Sequence, residues 1–281
     1  MLCDIDPVSF NLDAAGVEAR LRTSRSRRLR AILPVHLYGQ CVDLDAFRRL
    51  SAEFQVPIIE DAAQAFGAAW RGVRAGAQGT AAGFSFYPTK NLSAAGDAGC
   101  ITTSDPAVAE ESRALRNHGS RRRYHHETLG WNSRLDGIQA AILRVKMRHI
   151  ERWNRERRAH AAEYDRLLRA AGLAGEQIGP STPVVPPATA AEASHIFHQY
   201  CIRAARRDEL RVFCAVRGIG VEVYYPVPLH MQPPLLYLGY AAGSFPEAER
   251  ASQEVLALPM FPELTAEEQR YVVDALAEFY S

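Results

Sequence analysis

The sequence predicts an α/β protein, a mostly parallel sheet with flanking helices followed by a smaller α+β lobe, and three observations carry that prediction. The segments "LRAILPVHLYG", "DLDAFRRLSAEF" and "VPIIED", within residues 29–61, read as strand, helix and strand. Joined this tightly they make a βαβ unit, hence parallel strands with helices on the faces. Two more strands, "GFSFYP" and "GCITTSD", flank a glycine-rich stretch further on. After a Gly-, Pro-, Ser- and Thr-rich loop between Gly172 and Pro187, "FHQYCIRA", "RDELRVFCAVRGIG" and "VEVYYPVP" repeat strand, helix and strand in a shorter lobe. The expected division is a large domain over residues 1–155 and a smaller one over 156–281.

Each element has a local reason. Asp43 precedes a helix whose Leu44, Phe47 and Leu50 share one face, and its side chain suits the N-cap. "VPIIED" is a short apolar run of strand length. The segment "SRLDGIQAAILRVKMRHIERW" spaces Leu135, Ile138, Ile142, Val145, Ile150 and Trp153 near the helical period and predicts one long amphipathic helix. In "TAEEQRYVVDALAEFY", Thr265 with Glu268 three residues on predicts a capping box at the head of the last helix.

Composition narrows the function classes. The chain has 281 residues, 47% hydrophobic and 23% charged, with a net charge of +1, the profile of an ordinary globular protein. That balance carries no electrostatic footprint for nucleic acid or an anionic membrane. The one basic cluster, "RTSRSRRLRA" at 22–31, reads as a solvated helix end or loop. Five scattered cysteines with no CxxC pair fit a reducing cytoplasm, and His125 and His126 lack a further ligand at zinc spacing. No stretch is apolar enough to span a bilayer, and "MLCDIDPVSF" lacks the basic-then-apolar pattern of a secretory signal.

The chemistry begins with an oddity of residue choice. Of the 33 Lys plus Arg residues only Lys90 and Lys146 are lysine. A lysine amine can be deprotonated and attack a carbonyl, which a guanidinium cannot do at neutral pH. Lys146 lies inside the long amphipathic helix and reads as a solvated or interface-flanking side chain. Lys90 sits in "FSFYPTKNLSAAGDAG", between a strand and glycines. Glu60 and Asp61 end the preceding strand, either as a helix cap with a solvated partner or as a functional carboxylate.

Functional groups of an open parallel sheet gather at the carboxyl ends of its strands, and here two strands deliver Asp61, Ser85 and Lys90 there. A carboxylate and a lysine beside glycine-rich backbone are what pyridoxal 5'-phosphate requires. The amine forms the Schiff base, and the carboxylate keeps the pyridine nitrogen protonated so that the ring can accept electrons. Gln64 is placed to donate to the ring's phenolic oxygen and Ser85 to the phosphate; alone, Ser85 is equally a small polar residue beside a sheet.

These residues carry a family resemblance. In order, "DIDPVSFNLD", "PVHLYGQCVDLDAF", "IIEDAAQAFGA", "GFSFYPTKNLSAAGDAG", "LRNHGS", "GWNSRLDGIQAAIL", "GIGVEVYYPVPLHMQP" and "FPEAERASQEVLALPMFPELT" resemble the DegT/DnrJ/EryC1/StrS sugar aminotransferases, which have the fold type I of aspartate aminotransferase. The resemblance implies that Lys90 is the Schiff-base lysine, Asp61 the partner of the pyridine nitrogen, Gln64 a ring contact and Ser85 a phosphate contact. Asn132 would reach the phosphate of a neighbouring subunit, making a homodimer with shared sites. The implied reaction moves an amino group from glutamate to a nucleotide-diphosphate keto sugar, at C3 in preference to C4. Arg122 or Arg123 would pair with the diphosphate, the alternative being loop charges, and His230 would line the substrate side.

The resemblance also implies an opening segment before "DIDP", with a Gly-Thr or Gly-Ser turn at a helix N-terminus that holds the phosphate. Met1 is accordingly expected to be a misplaced start of an ordinary aminotransferase. The alternative expectation is a shortened, non-catalytic homologue that serves as an assembly partner.

Overall fold

The computed structural model describes residues 1–23 and 29–281, so residues 24–28 of the basic cluster lie outside the described residues. Along the chain run α1 (Ala14–Thr23), α2 (Leu44–Phe54), β1 (Ile59–Asp61), β2 (Ala69–Trp70), β3 (Val73–Arg74), β4 (Ala81–Ser85) and β5 (Gly99–Thr102). Next come α3 (Pro106–Leu115), β6 (Ser120–Arg122), β7 (His125–His126), α4 (Gly137–Lys146) and α5 (Ile150–Ala170). The remainder is β8 (Val184–Val185), β9 (Ala193–Ser194), β10 (Tyr200–Ala204), α6 (Arg207–Val216), α7 (Pro246–Glu254), β11 (Val255–Leu258) and α8 (Ala266–Tyr280).

Two compact units share these elements. One comprises Ser24–Glu151 with Glu192–Ser194; the other comprises Met1–Thr23, Arg152–Ala191 and His195–Ser281. The chain thus crosses between them at 151/152, and its first 23 residues group with the C-terminal part.

In the unit built on Ser24–Glu151, β1 and β4 pair in parallel with Ile59 opposite Ala81 and Asp61 opposite Gly83, and β5 then pairs antiparallel to β4. On the other edge of β1, Ile32 and Val35 make parallel bridges to Ile58 and Asp61. The strand expected at "LRAILPVHLYG" is reduced to these bridges, because Pro34 between them has no N–H to give to the ladder. α2 forms as expected: Asp43 accepts from Ala46 N at 3.0 Å, and Leu44, Phe47 and Leu50 are fully buried. Phe66 packs edge-on against Phe84 and Phe86, with ring centroids at 5.5 and 5.6 Å. The expected long helix over 133–153 is interrupted. α4 ends at Lys146, a 3₁₀ turn of Met147–His149 intervenes, and α5 resumes at Ile150.

In the other unit, β10 lies between β11 and β8, antiparallel to both. "VEVYYPVP" is not a strand: only Glu222 bridges, to Ala257, since Pro226 and Pro228 cannot donate to a sheet. β11, four buried apolar residues fused to the end of α7, takes the place beside β10. Tyr164 of α5 stacks on Tyr200 at 5.0 Å, and its hydroxyl donates to Pro259 O at 3.0 Å. α8 begins in the expected capping box of Thr265 and Glu268. Among the described residues no helix is long and apolar enough to cross a membrane, and no cluster of His, Cys, Asp and Glu is suited to a metal ion.

Candidate active site

The site is built where β1 and β4 end. In a parallel pair, residues in register share a face and alternate residues switch faces. Asp61, Gly83 and Ser85 therefore lie on one face, and Glu60 with Phe84 on the other. A Cβ added to Gly83 would meet nothing within 4 Å, so the face that carries Asp61 and Ser85 is open at Gly83. Asp61 Oδ1 accepts from Ala63 N at 3.0 Å, and Ser85 Oγ accepts from Tyr87 N at 3.3 Å.

Lys90 follows in the β4–β5 connection, where its backbone N donates to Tyr87 O at 2.8 Å. Burial lowers the pKa of its amine below the ordinary lysine value, and the charge of Asp61 works in the opposite direction. The charge of Asp61 therefore reaches the Lys90 amine, although among the described residues the two make no ion pair. A lysine so placed holds a larger neutral fraction, the form that attacks a carbonyl carbon.

Gln64, buried, is oriented by its neighbour. Its Oε1 accepts from Tyr38 N at 2.7 Å, which leaves Nε2 as the donor end of the side chain. Tyr38 sits in the 3₁₀ turn Leu37–Gly39 with φ 55°.

Behind β1 lies a pair that sequence reading did not single out. His36 and Glu60 are 0% and 1% exposed, and His36 Nε2 lies 2.9 Å from Glu60 Oε2. His36 Nδ1 accepts from Val42 N at 3.2 Å, so Nε2 carries the proton and donates to Glu60. Glu60 also accepts from Gly76 N at 2.8 Å, Gln78 N at 3.0 Å and Gly79 N at 2.6 Å. Burial pushes its carboxyl pKa up, but the His36 and backbone donors outweigh it and hold the carboxyl below the usual range. His36 N donates to Asp61 O at 2.9 Å, so the pair anchors the strand that presents Asp61. The signal in the sequence was a histidine directly after an apolar run and an acid on the side of the strand opposite Asp61.

The structure brings Asp61, Gln64, Ser85 and Lys90 to one strand-end region. Asn132 is exposed on a short bridge to Asn117. Arg122 and Arg123 stand on the exposed β6–β7 hairpin, where Arg121 has Glu111 and Glu127 as partners but, among the described residues, Arg122 and Arg123 have no carboxylate. Arg123 lies over the Tyr124 ring at 4.8 Å. His230 belongs to the other unit, buried, with Nε2 2.9 Å from Glu249 Oε1 and its ring edge-on to Phe245. Lys146, read as a solvated or interface-flanking helix lysine, is half-buried, and its Nζ donates to Ser93 Oγ at 2.6 Å.

An amine, a carboxylate, an oriented amide and a hydroxyl around an open strand-end face fit the carbonyl carbon, ring nitrogen, phenolic oxygen and phosphate of pyridoxal 5'-phosphate. Fold and site together define a pyridoxal-phosphate-dependent aminotransferase. Residues 1–277 match the model of the DegT/DnrJ/EryC1/StrS aminotransferase family, and the chain belongs to that family. It is 52% identical over 277 residues to a Geobacillus stearothermophilus protein named pleiotropic regulatory protein, covering 99% of this chain and 71% of that one. It is 47% identical over 254 residues to the dTDP-3-amino-3,4,6-trideoxy-alpha-D-glucose transaminase of Streptomyces venezuelae, covering 90% of this chain but 64% of that one. The crystal structure of S. venezuelae DesV in complex with a ketimine intermediate superposes with a TM-score of 0.89 at 44% identity, over 99% of this chain and 71% of that one.

Proposed function

We propose that the protein transfers an amino group from glutamate to a nucleotide-linked keto-deoxy sugar, at the C3 keto position in preference to C4. The observation that carries this reading is the half-buried Lys90 amine within the field of Asp61, beside the open face at Gly83. The 3-amino product in the name of the Streptomyces venezuelae relative supports C3.

Pyridoxal 5'-phosphate, when bound, supplies the acceptor for the electrons of the bond broken at the donor's α-carbon. Lys90 is the nucleophile toward a carbonyl carbon and the base that carries the donor's α-proton. Asp61 keeps a proton on the ring nitrogen by its charge. Gln64, its oxygen committed to Tyr38 N, donates to the phenolic oxygen. Ser85 donates to the phosphate.

The protein works as a homodimer with shared sites, Asn132 of one protomer reaching the phosphate held by its neighbour. Exposed apolar side chains near Asn132 in the chain, among them Leu129 at 90% and Trp131 at 65%, support a covered surface there. Arg122 and Arg123, without carboxylate partners among the described residues, are suited to a diphosphate. His230 is assigned to the sugar side on the family resemblance alone; within its own unit its imidazole is engaged by Glu249. The cytoplasm, with its glutamate and nucleotide sugars, is the expected location.

Loading with pyridoxal 5'-phosphate should give a yellow protein whose absorbance band is absent in Lys90→Ala, and glutamate should be consumed beyond one equivalent per site only with a nucleotide-linked keto sugar. A second reading, a non-catalytic assembly partner, is favoured by the regulatory name of the Geobacillus relative. A folded protein that stays colourless and transfers nothing would select it over the enzyme.

A further inference from the structure

Lys146 and Gln139 lie seven residues apart on α4, two helical turns, and therefore share a face. That face meets the segment immediately after Lys90. Lys146 Nζ donates to Ser93 Oγ at 2.6 Å, and Ala95 N donates to Gln139 Oε1 at 2.8 Å. The approach is close: a Cβ on Gly96 would lie 3.1 Å from Gln139 Nε2. From the other side Asn91 Nδ2 donates to Phe66 O at 2.8 Å, and Ala94 N donates to Phe86 O at 2.8 Å. Ser93 is 7% exposed, so its hydroxyl has little water to bond to instead.

The residue choice is informative. Among the described residues Lys146 has no carboxylate partner, although the chain carries 32 acidic residues, and its charge is directed at one neutral oxygen. A compact ammonium on a flexible stem suits a single acceptor, whereas a planar guanidinium fork is shaped for two. In a chain that uses arginine almost everywhere else, the second lysine stands where only one oxygen is offered.

We infer that Lys146 and Gln139 are positioning residues, which brace the Asn91–Gly96 segment against α4 and so fix where the Lys90 amine stands relative to Asp61. The inference rests on Lys90 being the amine that carries the cofactor. Neither residue touches reacting atoms. Loss of the brace lets the backbone beside Lys90 shift, and a displacement on the order of 1 Å can lower a rate about a hundredfold.

The test compares Lys146→Met, Ser93→Ala, their double variant and Gln139→Leu. In cofactor-free protein, amide exchange over residues 91–96 should rise at least about tenfold in the variants that remove the charge-assisted Lys146–Ser93 bond, and by about threefold or more in Gln139→Leu, which removes a neutral one. In cofactor-loaded protein, kcat should fall by roughly ten- to a hundredfold with little change in KM for the sugar. The pH midpoint of the bound cofactor's absorbance should also move. Lys146→Met and Ser93→Ala remove the same contact, so the double variant should be no worse than either alone. Should Lys146→Met not fold, Ser93→Ala and Gln139→Leu carry the same readouts. Unchanged exchange with wild-type kcat and midpoint overturns the brace. Faster exchange beside a cofactor band that survives in Lys90→Ala keeps the contact but severs it from the chemistry, and so overturns the inference through its premise.

Discussion

Replacing Glu60 by glutamine should destabilise the protein by about 2–6 kcal/mol, a range that follows from counting donors. Glu60 Oε2 receives His36 Nε2 and Gly76 N, and Oε1 receives Gln78 N and Gly79 N. A glutamine of the same shape keeps one oxygen and turns an NH2 toward the other two donors. Two N–H groups, part-buried except for that of His36, then lose their acceptor, whichever way the amide is placed, at ~1–3 kcal/mol each. His36 cannot rescue the contact by changing tautomer, because Nδ1 must stay an acceptor for Val42 N. Urea unfolding followed by circular dichroism should show a lower midpoint with an unchanged slope. The effect is also pH-dependent in a fixed direction. The folded carboxyl has a pKa below its unfolded value, so its stabilisation is fully present above the ordinary carboxylate pKa of ~4.3 and is lost as pH falls through the folded value. The gap between wild type and Glu60→Gln should therefore narrow below about pH 4. A variant within about 0.5 kcal/mol of wild type at neutral pH would refute the donor count, since that is the range of changes at ordinary surface sites.

Further outcomes are specific. Asp61→Asn should push the Lys90 pKa further below the ordinary value in cofactor-free protein, because it removes the one charge that raises it; with only two lysines, ¹³C-dimethyl labelling resolves the titration by NMR, and an unchanged or higher midpoint would contradict the assignment. Gly76→Ala should destabilise by at least ~2 kcal/mol in denaturant, since Gly76 has φ +83° and a Cβ would lie 2.5 Å from the Phe84 ring. Thr265→Ala should cost ~1 kcal/mol by removing the cap on Glu268 N at 3.2 Å, with the site's absorbance untouched.

Much of this was legible in the residues. The spacing of Leu44, Phe47 and Leu50 behind Asp43, and the capping box at Thr265, are local: the chemistry that sets them lies within one helical turn. The isolation of Lys90 among arginines and the acid closing "VPIIED" were also legible, because a strand end is marked by a change of residue type. Less legible were β11, hidden at the end of a helical run, and the prolines that keep "VEVYYPVP" from pairing.

By itself the sequence determined the α/β class and the caps, and it singled out the side chains proposed to hold pyridoxal 5'-phosphate, since these depend on periodicity, neighbours and functional groups along one stretch of chain. Only the tertiary structure decided that His36 donates to Glu60 from 24 residues away, and that Lys146 is tied to Ser93 across 53 residues. The physical reason is that hydrogen-bond partners and burial are properties of contacts closed by folding, and a side chain's charge, tautomer and reach are fixed by those contacts and not by its place in the chain.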